Sequence, residues 1–287
     1  MTASLQRKSA IDAPSVLGSA TSRVCIAVLV ALLGACAASP LASDDARRTL
    51  APTGVLRVGV YAGSPSSIVE APAGASDAPR GVGYDLGQAL ASRLGVPFRP
   101  VVFANNGLVI AAVRRGDVDV TFTNASPERA RELDFSPTFL DVEKSFLVPS
   151  GSALATLDDV RRPGLRIGVS AGSSTAGELG PLYPAARLVE VATLQRAREM
   201  LRDGELDAFA TNKAILFELA DRLPASRVLP GHWGLEHFAA GIPKGRERQD
   251  AFVADFVAAA VNDGVVDLAV ARAGLRGTVA TSPPDRR

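Results

Sequence analysis

The sequence predicts an α/β fold of two similar lobes facing one cleft, and three observations lead there. The line GDVDVTFTN at 116–124 returns as GELDAFATN at 204–212. A second echo keeps the same order: VLRVGVYAGSPSS at 55–67 and GLRIGVSAGSSTA at 164–176. Between the echoes, short β-branched runs alternate with helical periodicity, the pattern of α/β units with mostly parallel strands. Two echoes in one order make two alike halves. Each opens with a strand that ends in a Gly/Ser turn, and each later carries a helix, a glycine turn and a strand ending in Thr-Asn. In open α/β sheets ligands sit beyond the carboxyl ends of strands. Two facing lobes would bring all four of these loops around one cleft.

The chain begins with a segment that does not read as fold. Arg7, Lys8 and Arg23 precede an apolar run from Val24 to Leu33. At roughly 10 residues it is too short to span a bilayer, which takes about 20, and has the length of a signal-peptide core. It ends in Leu33-Gly34-Ala35-Cys36, which looks like a bacterial lipobox. Residues 1–35 would then be a signal peptide, with Cys36 lipidated as the first mature residue. The plainer alternative is a signal cut after a small residue. Residues 36–53 are small, polar and Pro-containing and read as a flexible tether. The tail, 279–287, reads as disordered.

Composition narrows the function. Apolar residues are 47% and charged residues 21% of 287, as in a soluble protein with a sizeable core. A net charge of +1 gives no reason to expect nucleic acid as a partner. Both cysteines, Cys25 and Cys36, lie in the N-terminal segment. The folded part therefore has no disulfide, no cysteine metal site and no cysteine nucleophile. His232 and His237 flank Trp233 in GHWGLEH, which is not the HExxH spacing of a zinc helix. No metal and no other cofactor is expected.

The organised region resolves into elements in order. RVGV near 57–60 is a strand. In GYDLGQALASRLG, Leu86, Leu90 and Leu94 line one helical face and Gly95 stops the helix. VPFRPVVF follows as a strand. A helix then runs to the turn at Gly116, and a strand ends at Asn124. In the second half Leu194, Ala197, Met200 and Leu201 give the helical period, with Thr193 as N-cap and Gly204 just past the end. DAFVADFVAAAVNDG at 250–264 is a late helix.

Taken in order, GVLRVGV, GVGYDLGQALASRLGV, RRGDVDV, SPERARELDFSPTF, RIGVSAGSST and LRDGELDAFATN resemble the bacterial extracellular solute-binding proteins of the polar amino-acid type, family 3. The likeness covers roughly residues 54–278. It implies the type II periplasmic binding fold, two Rossmann-like lobes joined by two crossing strands. Lobe one would take 54–147 plus 238–278 and lobe two 148–237, with crossings near 146–151 and 235–243. It also implies a monomer, tied to a membrane through its lipid anchor, that closes on a small solute and delivers it to an ABC permease in the inner membrane.

Candidate ligand contacts gather at the cleft loops. In SPER, Ser126 can cap a helix, Pro127 suits its first position, and Arg129 lies in the first turn. Free N–H groups there and a guanidinium make an anion site, and the family uses the matching Arg on the ligand α-carboxylate. The alternative is a surface Arg paired with Glu128 or Glu132. In SAGSST, Gly172 admits close backbone approach while Ser173, Ser174 and Thr175 offer donors to the same carboxylate, or simply cap a helix. Tyr61 and Ser64 stand on the opposite wall, with core packing as the alternative for Tyr61. Trp233 either caps the ligand or packs in the hinge. Asp119 and Asp207 open strands away from the cleft and read as turn residues.

The departures from the family bear on the ligand. Where amino-acid binders carry an Asp for the ligand ammonium, this chain has Asn212, and a neutral amide cannot supply the same charge-assisted pairing. Asn105 replaces a usual aromatic. With Asn124 and Asn212 approaching from both lobes, the expected ligand is small, polar and anionic, either an amino acid or a carboxylate lacking the amine. An ordinary amino acid would require Glu236 or another acid to take the Asp's role. A dehydratase of the cyclohexadienyl type on the same fold is the competing enzymatic reading. It needs a positioned acid in the cleft, for which Glu236 and Glu218 are the only candidates.

Overall fold

The computed structural model describes residues 44–70, 78–245 and 247–279. The signal peptide, Cys36 and the tail beyond Val279 lie outside the described residues.

The first half runs β1 (Leu56–Tyr61), α2 (Val82–Leu94), β2 (Phe98–Phe103), α3 (Asn106–Arg115), β3 (Val120–Asn124) and β4 (Leu133–Phe135). A long strand, β5 (Leu140–Val148), leads into the second half: β6 (Arg166–Ser170), α4 (Thr175–Leu182), β7 (Arg187–Val191), α5 (Leu194–Arg202), β8 (Ala208–Asn212), α6 (Lys213–Asp221) and β9 (Arg227–Val228). A second long strand, β10 (Gly234–Pro243), returns to α7 (Glu247–Asn262), α8 (Val265–Ala273) and β11 (Thr278–Val279).

The main strand order is β2-β1-β3-β10-β5-β8-β6-β7. β1 is parallel to β2 and β3, and β6 is parallel to β7 and β8. Two parallel triplets are thus joined by the antiparallel pair β5 and β10. These are the crossing strands. β10 pairs with β3 through Phe238–Gly241 and with β5 through Gly234–Phe238. β5 pairs with β10 through Leu140–Lys144 and with β8 through Lys144–Leu147. The first crossing therefore turns over at Lys144, ahead of the expected 146–151. The strand ends at Val148 because Pro149 has no N–H to donate.

Both echoes fold as the repeat requires. β3 and β8 each end on their Asn, and Thr193 caps α5 by accepting from Arg196 N at 3.0 Å. The paired aspartates do more than shape turns. Asp119 accepts from Arg57 at the backbone N (2.8 Å), Nε (3.1 Å) and Nη2 (2.6 Å). Asp207 accepts from Arg166 at N (2.7 Å), Nε (3.1 Å) and Nη2 (2.8 Å). In each half the Asp before the third strand thus clamps the Arg of the first. Side-chain exposure is 2% for Asp119 but 30% for Asp207, so the two clamps should differ in worth. Asp119→Ala is expected to destabilise by about 2–3 kcal/mol, because it strands a largely buried guanidinium. Asp207→Ala should cost about 1 kcal/mol, since both partners there are solvent-screened. Urea midpoints of the two variants compare them.

Leu86, Leu90 and Leu94 share one core with Val253, Phe256 and Val257 of α7 and with Val266 and Ala269 of α8, so the C-terminal helices return to the first half. Residues 44–50 correct the tether reading. They form α1 (Asp44–Leu50), with acids in the first turn and arginines in the last, which suits the helix dipole. Arg47 Nε donates to Leu94 O at 2.7 Å, and Leu50 is fully buried. These anchors lie in a segment whose average composition is polar.

Candidate functional site

The floor of the cleft is set by strand register. Directly paired residues share a sheet face. Gly234 pairs with Lys144, Lys144 with Asn212, and Val142 with Glu236. Asn212, Lys144 and Glu236 therefore lie on one face where the crossing strands meet the second half. Above them a cavity of about 20 Å³ is lined by Tyr61, Asn105, Arg129, Ser173, Asn212 and Glu236, among others.

Arg129 is 6% exposed. It sits in a short 3-10 turn, Arg129–Arg131, rather than the α-helix the SPER sequence predicts. Ser126 still caps that turn, its Oγ accepting from Arg129 N at 3.3 Å. Arg129 Nη1 donates to Thr123 Oγ1 at 3.1 Å and to Asn124 O at 3.2 Å. Assigned by hydrogen-bond satisfaction, the Asn106 amide turns its oxygen to Nη1 and Nη2 at 3.1 and 3.2 Å. These bonds fix the guanidinium, and among the described residues none accepts from its Nε. Burial pushes the Arg129 pKa down, while Glu236 and Tyr61 oppose the shift. An arginine so held remains a cation at neutral pH.

Glu236 is the acid of the cavity. Asn212 Nδ2 donates to Glu236 Oε2 at 2.8 Å, and Asn212 Oδ1 accepts from Ile215 N at 3.1 Å, capping α6. Burial raises the Glu236 carboxyl pKa; Lys144, the Asn212 hydrogen bond and Arg129 pull it back. Burial likewise raises the Tyr61 hydroxyl, and Glu236 adds to that rise. On the facing wall Ser173 Oγ is buried without any hydrogen-bond partner, an uncommon state for a hydroxyl and one that marks a contact surface.

The two halves touch over the cavity. Asn105 caps α3, accepting from Leu108 N at 3.0 Å, while its Nδ2 donates across to Ala192 O at 3.0 Å. Asn124 Nδ2 donates to Ser174 Oγ at 3.2 Å, and its Oδ1 accepts from His237 N at 2.9 Å. Gly107 and Gly172 pack backbone to backbone, so that a Cβ on Gly107 would stand 2.9 Å from Gly172 Cα. The cavity beneath is room for a water or two, so the cleft is closed and a solute enters only as it widens. A larger cavity of about 580 Å³ adjoins it, sharing Ala104, Thr193 and Leu194, but Arg129 and Glu236 do not line it.

Of the candidate residues, Tyr61, Asn105, Arg129, Ser173, Ser174 and Asn212 come together around the cavity. Others do not line it. Ser64 is buried, its Oγ bonded to Ser66 Oγ at 2.8 Å. Ser126 and Asn124 are taken up by the cap and clasp described above. Thr175 is buried in the first turn of α4. Trp233 packs on β5, its Nε1 donating to Ser145 O at 3.2 Å and its ring beside Phe146. Its ring lies 4.8 Å from Lys144 Nζ and does not line the cavity. Residues that the sequence did not single out also line the cavity: Asn106, Ser170 and Thr211. Asn106 could have been suspected from its place before Gly107 in FANNGL. His232 meets Glu143 and His237 meets Asp141 at the hinge. Among the described residues, no group of three or more His, Asp or Glu is placed to hold a metal.

A mixed sheet bent through two crossing strands, with a buried cation and a buried carboxylate facing a closed interlobe cavity, defines a two-lobed solute receptor. Residues 56–272 match the bacterial extracellular solute-binding proteins, family 3, and the chain belongs to that family. It is 28% identical over 140 residues to a glutamine-binding protein of Geobacillus stearothermophilus, covering 49% of this chain and 50% of the relative. It is 29% identical over 114 residues to the ABC transporter glutamine-binding protein GlnH of Bacillus subtilis, covering 39% and 41%. The chain thus spans half or less of the length of these relatives. In fold it is similar to a solute receptor for L-cysteine of Neisseria gonorrhoeae, with a TM-score of 0.70 and 23% identity over 81% of this chain and all of that one.

Proposed function

We propose that this protein is the substrate-binding component of an ABC importer and that its ligand is an α-amino acid with a polar side chain. The observation that carries this is the Glu236 carboxylate, held by Asn212 in the same cavity as Arg129. Arg129 takes the ligand carboxylate together with Ser173 and the start of α4, and Glu236 takes the ammonium. The acid that Asn212 cannot supply comes from the neighbouring crossing strand, and Asn212 aims it.

Charge balance supports the same reading. Arg129 and Lys144 carry two positive charges; Glu236 and Glu178, the partner of Lys144, carry two negative ones. The site is neutral before the ligand enters. A zwitterion keeps it neutral, whereas a carboxylate without an amine adds one uncompensated buried charge, a costly state. Ser170, Ser173, Asn105, Asn106 and Thr193 line the cavity and favour a polar side chain. Relatives that bind glutamine and L-cysteine are in keeping with this class. The protein acts as a monomer on the periplasmic side, anchored through Cys36, and hands its ligand to an inner-membrane permease.

The enzymatic alternative would use the same Glu236 as its acid. Burial raises the Glu236 carboxyl, which would suit a proton donor, while the Asn212 hydrogen bond and the two cations near it oppose that rise and favour an ionised partner. A thermal-shift panel of amino acids with their deaminated analogues tests the proposal. A bound solute at about 100 times its Kd adds about 2.7 kcal/mol, on the order of 5–10 °C for a chain of this size. A shift with the deaminated acids and none with amino acids would reject it. Turnover of prephenate would favour the enzyme.

A further inference from the structure

Lys144 is a buried charge that the binding scheme does not use directly. It is 3% exposed, at the turnover point of the crossing strand, between Asn212 on one side and Gly234 on the other. Its Nζ pairs with Glu178 of α4 and lies 4.8 Å from the centre of the Trp233 ring. A Cβ on Gly234 would come within 3.0 Å of Lys144 Cε, so the lysine stem fills the space a side chain there would need. Burying an ammonium this deeply is expensive without a role for its charge. Glu236 lies diagonally from it on the same sheet face, two residues along β10 from Gly234.

We propose that Lys144 is a positioning residue for the ligand ammonium, the buried counter-charge beneath the Glu236 carboxylate. It works through Glu236 and touches no ligand atom. The charged and titratable groups facing Glu236 come from five elements: Lys144 of β5, Arg129 of the 3-10 turn and Glu178 of α4, with Tyr61 of β1 and the Asn212 amide of β8. Arg129 is committed to the ligand carboxylate, and Glu178 opposes ionisation. Lys144 is therefore the cation left to keep Glu236 anionic when the cleft closes. The Lys144–Glu178 pair also ties α4, whose first turn faces the ligand carboxylate, to the hinge strand. This inference rests on Glu236 being the ammonium partner.

The test is a carbon-13 NMR titration of labelled glutamate carboxyls in the ligand-free protein, with Glu236 assigned by its disappearance in Glu236→Gln. In Lys144→Met the Glu236 carboxyl should titrate at a pH higher by about one or more, and Lys144→Arg should restore the wild-type midpoint. In Glu178→Gln, which removes the opposing carboxylate and keeps the lysine, the midpoint should fall. An unchanged midpoint in Lys144→Met would overturn the proposal, as would a Lys144→Met shift that Lys144→Arg fails to reverse. Should Lys144→Met not fold, Lys144→Gln, which removes the charge but keeps a polar stem, takes its place in the same titration. The reading it rests on fails separately: Glu236→Gln would then keep the wild-type thermal shift with amino acids, whatever the titrations show.

Discussion

Arg129→Ala should abolish binding while leaving the fold intact. The guanidinium is held by Thr123, the Asn124 carbonyl and Asn106, so its orientation is set before a ligand arrives, and little ordering is left to do on binding. Truncating one member of a buried, hydrogen-bonded charge pair costs about 2–5 kcal/mol, which is roughly 30- to several-thousand-fold in Kd. Calorimetry with whichever amino acid stabilises the wild type should show no measurable heat. Arg129→Lys keeps the charge but loses the planar fork and should recover only part of the affinity. A wild-type Kd in Arg129→Ala would remove this residue from the site.

Glu236→Gln should separate the two ligand classes. Affinity for α-amino acids is expected to fall about a hundredfold, because the ammonium loses its only buried carboxylate partner in the cavity and a charge-assisted bond becomes a neutral one. Affinity for the deaminated acid should hold or rise, since the variant carries one negative charge fewer. Equal losses for both ligands would argue that Glu236 shapes the cavity without reading the amine. The pH dependence follows in sign. A carboxyl raised by burial is protonated in the folded state at a pH where the unfolded chain has already ionised. Its contribution to the stability of the ligand-free protein is therefore fully present below the ordinary value of 4.5 and is lost as pH rises through the folded value. Ligand binding runs the other way: it needs the carboxylate and weakens as pH falls through that same window. Melting curves with and without ligand across mildly acidic pH should converge as the pH drops.

Much of the fold was legible in the sequence because it is written twice. The two echoes recur in order, and a local pattern that recurs needs no tertiary information to be recognised; that Asp119 and Asp207 clamp Arg57 and Arg166 rather than shape turns shows only in the fold. Arg129 was legible for a similar reason, as Ser-Pro-Glu-Arg states its own turn and cap. The α1 helix is not legible in the composition because it is held by contacts with a distant part of the fold, Leu50 and Ala46 on the core and Arg47 on Leu94 O. The sequence left Trp233 between the ligand and the hinge, because its seat against β5 depends on the pairing of Trp233 N with Lys144 O and on Phe146 beside its ring.

Asn212 shows where the sequence runs out. Its place at the end of β8 and its departure from the family's Asp were both plain in the chain. Glu236 could be named in the chain as one acid for that role but not placed, because it lies on another strand and reaches Asn212 only once β10, β5 and β8 are aligned through Lys144. The sequence by itself determined the two-lobed α/β plan and its repeated halves, and singled out Arg129 as the candidate cation. Only the tertiary structure decided which carboxylate faces that cation, because a site at the meeting of two crossing strands is assembled from pairings that no local stretch encodes.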